Sequence, residues 1–409
     1  MTSTWTPLRA RLPVAERALE PRFGRALAER WVQEHRAGRS VAGTRAHTAY
    51  YRGAGELSLR VDVTFAPAEG PGDQLTLLVR CDSSGGTTAT AFPDDPELPT
   101  LEGLLRPDAP PALASLGLAG AAGAGEVAVV HHPRTGACVL RIGVAEQRHV
   151  FAKVYPSRAE ATAAAAVLDA LGHREEPGRG GPVRLPRLLG LDPARHLTVL
   201  ESVAPVPAVD NPRPVSLLEA GQALATLHRR PPVGPLPVVG PLDGADEVAR
   251  ESALTATAWP ELAAALAAPL ARARRALAAH DPGRPVLSHG DFTPGQLVRR
   301  RDGLGLIDLD TLRLAEPAAD LGRYLAYAEL AALRRGSRHP RPGGATAELL
   351  VGYGRPGSGH PDLRARTLAY RELTLVHVAL HAARRFKDRR VSHALSLLAQ
   401  PHTTEGVAS

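Results

Sequence analysis

Apolar and polar residues alternate along much of the first half of the chain, which is the period of β-strands with one buried face. The clearest example is GELSLRVDVTF at residues 55–65. A turn-rich segment, APAEGPGD, and a second strand-like run, QLTLLVRC at 74–81, follow it. Residues 15–36 before it carry apolar positions at helical spacing. This part of the chain therefore predicts a β-hairpin packed on a helix.

The strand pattern restarts after a linker of small residues, LGLAGAAGAGE at 116–126. EVAVVHHPRTGACVLRI predicts two strands joined by a tight turn, and HVFAKVY predicts a third. SRAEATAAAAVLDALG predicts a helix with Ser157 as its N-cap, and HLTVLESV predicts one more strand. From Ser216 onward the apolar spacing is helical, apart from one hairpin near residue 300.

These patterns predict an α+β chain in three parts. The first, residues 1–120, is an N-terminal extension of helix plus β-hairpin. The second, residues 121–203, is strand-rich with one helix, and the third, residues 204–409, is helical and holds one hairpin. The 409 residues are 44% hydrophobic, which is enough to bury a sizeable core.

Composition narrows the classes of partner. The net charge of +7 is spread along the chain, and aromatic residues are only 4%, so neither a phosphate-binding patch nor a base-stacking surface is indicated. No long apolar run occurs in the sequence, its first residues lack the apolar block of a secretory signal, and its two cysteines form no metal-ligand spacing. We expect a cytoplasmic protein that binds neither membranes nor nucleic acid; oligomeric state is left open.

Lysine is rare in this chain. Of 49 basic residues only Lys153 and Lys387 are lysine. Lys387 lies in the charged run RRFKDRR, whereas Lys153 lies in the apolar run VFAKVY, where an unpaired charge is costly. An ammonium and a guanidinium are not interchangeable, so Lys153 is a candidate functional residue.

Oxygen-bearing side chains concentrate around the hairpin of the helical part, in LSHGDFTPGQLVRRRDGLGLIDLDT. With the turn centred on Asp302, position 296 faces position 308, so the amide of Gln296 and the carboxylate of Asp308 should meet beside the loop that carries Asp291. Such hard oxygen ligands suit Mg²⁺. Two carboxylates about 4 Å apart repel by roughly 4 kcal/mol at an effective dielectric near 20, so a site that also takes polyphosphate requires a cation. Phosphoryl transfer requires one carboxylate to hold the metal and another to orient the nucleophile.

The motifs HGDFTPGQ, LIDLDT and DLGRYLA resemble the catalytic core of the aminoglycoside phosphotransferase and choline kinase-like superfamily. The resemblance covers roughly residues 125–400 and implies a two-lobed protein-kinase-like fold with a strand-rich N-lobe and a helical C-lobe. It implies that Asp291 is the catalytic base, that Gln296 and Asp308 bind Mg²⁺, and that Asp320 buttresses the catalytic loop.

In the strand-rich region the resemblance implies a nucleotide site for ATP or GTP. Lys153 would hold the phosphates with Glu160 as its carboxylate partner, and backbone groups near Glu201 and Val203 would meet the purine. The sequence departs from the family pattern in three places. Gln296 replaces the usual asparagine, no glycine-rich phosphate loop precedes Lys153, and Glu160 lies about one helical turn nearer the lysine strand than the family spacing.

Several alternatives stay open. His289 is expected to brace the loop, and Asp310 is either a second metal contact or, as we favour, a solvated strand end. Only eleven residues separate Asp308 from Asp320, which leaves no room for a long segment that docks a protein substrate. We therefore expect a kinase for a hydroxyl of a sugar, amino sugar or antibiotic-like metabolite. The rivals are an inactive nucleotide-binding scaffold of the same fold and a metal-dependent hydrolase.

Overall fold

The computed structural model describes the chain in ten stretches, namely residues 8–36, 38–66, 74–106, 127–132, 136–144, 148–172, 183–203, 214–336, 342–354 and 362–400. Strands β1 to β14 in these stretches are Ser40–Gly53, Glu56–Ala66, Gln74–Cys81, Thr87–Ala91, Val127–His131, Cys138–Val144, Arg148–Val154, Val183–Arg184, Leu188–Asp192, Leu197–Glu201, Val286–Ser288, Leu297–Arg300, Gly303–Leu306 and Arg313–Ala315. Helices α1 to α11 are Pro13–Ala18, Pro21–His35, Leu101–Leu105, Arg158–Gly172, Leu217–His228, Asp243–Ala256, Pro260–Ala279, Pro317–Arg334, Pro342–Tyr353, Leu363–Arg384 and Asp388–Leu398. The expected α+β class is confirmed.

The chain divides into two compact units, each assembled from separated segments. The first unit contains residues 1–96, 247–270 and 375–399, and the second contains residues 97–246, 271–374 and 400–409. The three-part division expected from the sequence stays a prediction, because its boundaries after residues 120 and 203 lie outside the described stretches.

The first unit is built on a four-stranded antiparallel sheet in the order β1, β2, β3, β4. The hairpin of β2 and β3 follows from the alternation in the sequence, and the apolar side chains of β2 are almost completely buried. Strands β1 and β4 were not predicted. Three register shifts interrupt the pairing of β1 with β2, which obscures the two-residue period in the sequence of β1. Trp259, from a distant segment, donates its indole N–H to the carbonyl of Leu8 at 3.0 Å.

The second unit begins with a five-stranded antiparallel sheet in the order β5, β6, β7, β10, β9. Helix α4 packs against β9 and β10. Lys153 lies on β7, in the middle of the sheet, where it is paired with Val139 on β6 and Thr198 on β10. The expected order of a strand-rich region followed by a helical region is confirmed within this unit. Within the described part of the chain, no helix combines the length and apolar character needed to cross a bilayer.

Buried ion pairs fix the helices of the second unit. Arg366 on α10 pairs with Glu316, the N-cap residue of α8, and both side chains are under 5% exposed. Tyr370 also donates to Glu316, at 2.6 Å, and Arg366 donates to the carbonyl of Leu277 at 2.7 Å. Removing one partner of such a pair leaves an uncompensated buried charge. The start of α8 is therefore held firmly in place.

A half-buried histidine pair lies in the first unit. The ring of His381 stacks on that of His377 at a centroid distance of 6.0 Å and lies 5.9 Å from the ring of Tyr50. Burial, followed by the positive neighbours His377 and Arg385, lowers the pKa of His381 to about 4. Glu251 acts in the opposite direction, as a smaller effect.

Acid should therefore weaken this unit through His381. Between pH 6.5 and 4 the unfolded chain binds a proton at this residue and the folded chain does not, so the free energy of unfolding falls as the pH falls through this window. The free energy of unfolding should fall less between pH 7.5 and pH 4.5 in H381Q than in the parent protein. We expect the difference to be about 1–2 kcal/mol, measured by urea unfolding at the two pH values. The exposed His35 supplies the control variant H35Q, and an unchanged pH dependence in H381Q would contradict the assignment.

Candidate functional site

A tight turn after β11 presents Asp291, and the buried carboxylate of Asp320 holds that turn. The backbone N–H groups of His289 and Gly290 donate to Asp320 at 2.7 and 2.9 Å. Gly290 has φ +82°, and a Cβ at this position would collide with the carbonyl oxygen of Thr311, so the turn needs glycine. The carboxylate of Asp320, on α8, thus fixes the backbone that carries Asp291.

His228, at the end of α5, supports Asp320 from the other side. Its Nε2 lies 3.1 Å from Oδ2 of Asp320, and its Nδ1 lies 3.0 Å from the hydroxyl of Tyr353. Burial alone would raise the pKa of Asp320, but the hydrogen bond from His228 and the imidazoles of His228 and His289 keep it below its ordinary value. The side chain of Asp320 is 2% exposed, so its ionised form depends on these partners.

Pairing of two short strands brings the turn of Asp291 next to the segment that follows the hairpin. Strand β11 pairs antiparallel with β14, so that Ser288 is opposite Arg313. The hydroxyl of Thr311 donates to the carbonyl of His289 at 2.8 Å. His289 is fully buried, and its Nε2 lies 3.0 Å from the carbonyl oxygen of Ile307, which confirms its expected bracing role.

Lys153 connects the sheet to this segment. Its ammonium donates to Oδ1 of Asp308 at 2.7 Å and to Oδ2 of Asp310 at 2.8 Å. Burial lowers the pKa of Lys153, but Asp310 and Asp308 outweigh burial and raise it. Burial alone would raise the pKa of Asp308, but the charge of Lys153 lowers it. The pKa of Asp308 therefore lies below its ordinary value. Lys153 and Asp308 are therefore both charged near neutral pH.

The hairpin register differs from the prediction by one residue. Arg300 is paired with Gly303, and the amide of Ile307 donates to the carbonyl of Gln296, so position 296 faces 307 and the predicted pairing of 296 with 308 is wrong. The turn holds two residues, 301 and 302, instead of being centred on Asp302. Gln296 and Asp308 nevertheless meet, because Asp308 leaves the strand with φ +66° and its Oδ2 accepts from Nε2 of Gln296 at 3.1 Å.

Asp291 has a partner that sequence reasoning missed. Its carboxylate pairs with the guanidinium of Arg323, and the two side chains are 34% and 26% exposed. Arg323 lies three residues after Asp320 on α8, so the two residues lie on the same side of the helix and both reach the loop. That spacing within DLGRYLA was the signal that would have identified Arg323.

Glu160 does not pair with Lys153. It occupies the third position of α4, where its Oε1 accepts from the hydroxyl of Ser157 at 3.0 Å and its N–H donates to that hydroxyl at 3.2 Å. Local capping of the helix thus holds Glu160 at the exposed start of α4. Asp310 is exposed to solvent, as expected, but it is more than a solvated strand end, because its carboxylate contacts both Lys153 and the hydroxyl of Tyr155.

The connector after β10 carries Glu201 and Val203. The Glu201 carboxylate accepts from Arg184 at 2.6 Å and from Arg187 at 3.1 Å, and its backbone N–H donates to the carbonyl of Arg187. The carbonyl of Val203 accepts from Arg300. Contact between this connector and a purine stays a prediction, and it would have to use the other backbone groups.

The oxygen atoms around Lys153 fit a magnesium ion better than a softer metal. Asp308 is ionised and its side chain is 43% exposed, and Mg²⁺ commonly takes one or two protein carboxylates and fills its other positions with water and phosphate oxygens. The amide of Gln296 faces Asp308 through nitrogen, so a metal contact would require the amide to rotate. Among the described residues, no cluster of three or more His, Cys, Asp or Glu side chains could enclose a metal.

A cavity of about 500 Å³ lies beside the 3-10 turn Pro294–Gln296, within the range of small-molecule sites. Its walls are mainly apolar and come from the start of α5, the hairpin, α8 and α9. The lining residues are Pro214, Val215, Ser216, Leu217, Pro294, Leu297, Arg299, Tyr324, Leu325, Ala328, Glu329, Ala331, Ala332, Arg335, Ala345 and Glu348. Phe292, next to Asp291, packs on Tyr324 of this wall with ring centroids 5.0 Å apart.

Residues 139–366 match the model of the phosphotransferase enzyme family, which is more than half of the chain. No curated protein matches the sequence. Solved structures resemble it at low identity. A choline/ethanolamine kinase family protein from Mesorhizobium loti is 17% identical, with 71% of this chain and 96% of that chain covered and a TM-score of 0.49.

Two further structures resemble the chain in the same way. A macrolide 2'-phosphotransferase from Brachybacterium faecium is 17% identical, with 72% of this chain and 99% of that chain covered and a TM-score of 0.44. A putative fructosamine-3-kinase from Thermobifida fusca is 21% identical, with 69% of this chain and 98% of that chain covered and a TM-score of 0.44.

Removing the carboxylate of Asp320 should destabilise the fold, because two backbone N–H groups and His228 lose a buried acceptor together. We expect D320A to lower the free energy of unfolding by about 2–5 kcal/mol in urea titrations. The matched control is D302A, which removes an aspartate that is 71% exposed in the hairpin turn, and it should leave the free energy of unfolding almost unchanged. Equal losses in the two variants would show that Asp320 does not hold the loop.

Proposed function

Since the chain belongs to the phosphotransferase enzyme family, we propose that it transfers the terminal phosphoryl group of ATP or GTP to a hydroxyl group of a small molecule. The observation that carries this proposal is the convergence of Lys153, Asp308 and Gln296 beside the turn that presents Asp291. Phosphoryl transfer needs positioning and charge stabilisation more than covalent chemistry from the protein. These residues supply a cation for phosphate, oxygen ligands for a metal and a carboxylate base for the nucleophile.

In this proposal Lys153 binds the phosphates of the donor, and Asp308 with the Gln296 amide oxygen holds Mg²⁺. The ion, when bound, neutralises part of the phosphate charge. Lys153 is almost buried, with 9% of its side chain exposed, so its charge acts in a region of reduced dielectric. Asp308 is the more exposed of its two carboxylate partners, which supports its assignment as the one that meets a ligand.

Asp291 is the proposed base. Its Oδ1 pairs with Arg323, which orients the carboxylate and leaves Oδ2 to accept the proton of the acceptor hydroxyl. As that proton moves to Asp291, the acceptor oxygen forms a bond to the terminal phosphorus, and the bond from that phosphorus to the bridging oxygen breaks. The nucleoside diphosphate leaves with the bonding electron pair, so the charges balance.

We place the body of the acceptor in the cavity beside Pro294. Its size suits a small molecule, and its mostly apolar wall suits an acceptor with an apolar part. Only eleven residues separate Asp308 from Asp320, which argues against docking of a protein substrate. A hydroxylated sugar, amino sugar or antibiotic-like metabolite fits these limits.

An inactive nucleotide-binding protein is the second candidate. Two observations favour it, namely that Gln296 replaces the asparagine of the family pattern and that its amide faces Asp308 through nitrogen. This candidate predicts nucleotide binding without turnover on any acceptor.

The two candidates differ in the effect of changing Asp291. With purified protein, Mg²⁺ and a panel of alcohols and sugars, we expect acceptor-stimulated release of nucleoside diphosphate. D291N should lower kcat by about 10²–10⁴-fold, because the base is lost, and should leave nucleotide affinity within about threefold. Calorimetric titration with ATP and GTP provides the binding measurement. Unchanged turnover in D291N would show that Asp291 is not the base. No turnover in the parent protein with any acceptor, together with retained nucleotide binding, would favour the inactive alternative.

Filling the cavity tests the acceptor site. Ala331 lies on its wall, and the indole of A331W would occupy much of the space for the acceptor. We expect the KM for the acceptor to rise at least about tenfold, with the KM for nucleotide changed less than about twofold. The exposed Arg334, three residues after Ala331 on the same helix and not among the lining residues, supplies the control R334W. An unchanged acceptor KM in A331W would place the acceptor elsewhere.

A further inference from the structure

The lysine on β7 has a carboxylate partner that does not come from the following helix. Lys153 donates to Asp310 at 2.8 Å, whereas the carboxylate of Glu160 is hydrogen-bonded to Ser157 at the start of α4. Asp310 lies two residues beyond Asp308, in the 3-10 turn Leu309–Thr311. The lysine is therefore held by a residue from the segment after the hairpin.

Asp310 is itself held in place. Its Oδ1 accepts from the hydroxyl of Tyr155 at 3.2 Å, and Tyr155 is 4% exposed, two residues after Lys153 on the same run of chain. On either side of Asp310, Leu309 is buried and the hydroxyl of Thr311 donates to the carbonyl of His289. The position of the Asp310 carboxylate is thus set by the sheet and by the loop of Asp291 together.

The two carboxylates on Lys153 differ in their surroundings. The Asp308 side chain is 43% exposed, whereas the Asp310 side chain is 27% exposed and accepts a hydrogen bond from Tyr155. A ligand phosphate that approaches Lys153 can replace the more exposed carboxylate more readily than the one held by a buried hydroxyl. Asp308 is also the residue that the proposed function assigns to the metal.

Resting on the proposed function, we propose that Asp310 orients Lys153 for the donor phosphates, in the place that the family resemblance gives to a glutamate of the next helix. Lys153 exchanges its bond to Asp308 for a bond to phosphate when nucleotide binds, and it keeps its bond to Asp310. Asp310 is a positioning residue, because it acts through the lysine. Helix α4 then does not have to move to complete the site.

The physical reason is the cost of a buried ammonium. Lys153 is charged and almost buried, and a partner of opposite charge offsets much of its desolvation. With Asp310 retained, the lysine still has a carboxylate while its other bond moves to phosphate. Without Asp310, Lys153 would stay on Asp308, and the nucleotide phosphates would have to compete with that pair.

The test compares D310N with E160Q. D310N keeps the shape of the side chain and removes its charge, so we expect the KM for nucleotide to rise about tenfold or more, since a charged hydrogen bond is lost. E160Q should behave like the parent protein, and D310E should recover part of the loss. Thermal unfolding with each variant shows whether the fold is retained. An effect of E160Q equal to that of D310N would overturn the proposal.

Two readouts separate orientation of the lysine from other roles. When nucleotide binding is measured by calorimetry without Mg²⁺, D310N should bind nucleotide more weakly than the parent protein. Adding D310N to K153M should cause no further loss, because both changes remove the same interaction. The Mg²⁺ concentration for half-maximal turnover should stay unchanged. A shifted Mg²⁺ requirement with unchanged nucleotide affinity would make Asp310 a metal ligand and overturn the inference.

K153M alone separates failure of this inference from failure of the proposed function. If K153M leaves nucleotide affinity unchanged, Lys153 does not bind the donor, and the proposed donor site is wrong. If K153M weakens binding and D310N does not, the donor site stands and only the role of Asp310 is rejected.

Discussion

The ion pairs of one nearly buried ammonium connect the parts of the second unit that form the proposed site. Lys153 extends from the middle strand of a five-stranded sheet and binds Asp308 and Asp310, which follow the hairpin of the helical region. An unpaired charge at this depth would cost several kcal/mol, so the sheet and the segment after the hairpin are held at bonding distance. The position of the proposed metal ligand relative to the proposed phosphate-binding residue follows from this constraint.

A second constraint positions the proposed base. Asp320 accepts two backbone N–H bonds from the turn of Asp291, and His228 orients it from α5. The start of α8, which carries Asp320, is fixed in turn by the buried pair of Glu316 and Arg366. Arg323 extends from the same helix to Asp291. One helix therefore sets the backbone of the loop and also the orientation of the carboxylate that the loop presents.

The first unit shows how far the chain order differs from the spatial order. Its sheet comes from the first 96 residues, and its helices include segments after residues 247 and 375. The guanidinium of Arg384 lies 4.6 Å from the centre of the Tyr50 ring and donates to the carbonyl of Tyr51 at 3.0 Å. Residues more than 300 positions apart thus stabilise this unit together. Loss of the C-terminal helices would leave the N-terminal sheet without part of its packing.

The sequence by itself identified the side chains that we propose carry the chemistry. Asp291, Gln296 and Asp308 lie within 18 residues of one another around a hairpin, and a rare lysine in an apolar strand marked the second half of the site. Local patterns such as strand alternation, helix caps and a glycine turn act over a few residues, so a single sequence reveals them. Only the tertiary structure decided which carboxylates bind Lys153 and which cation pairs with Asp291. It also decided the register of the hairpin and brought three separate segments of the chain together in the first unit. These features depend on contacts between residues far apart in the chain, and the free energy of burial, not local preference, selects them.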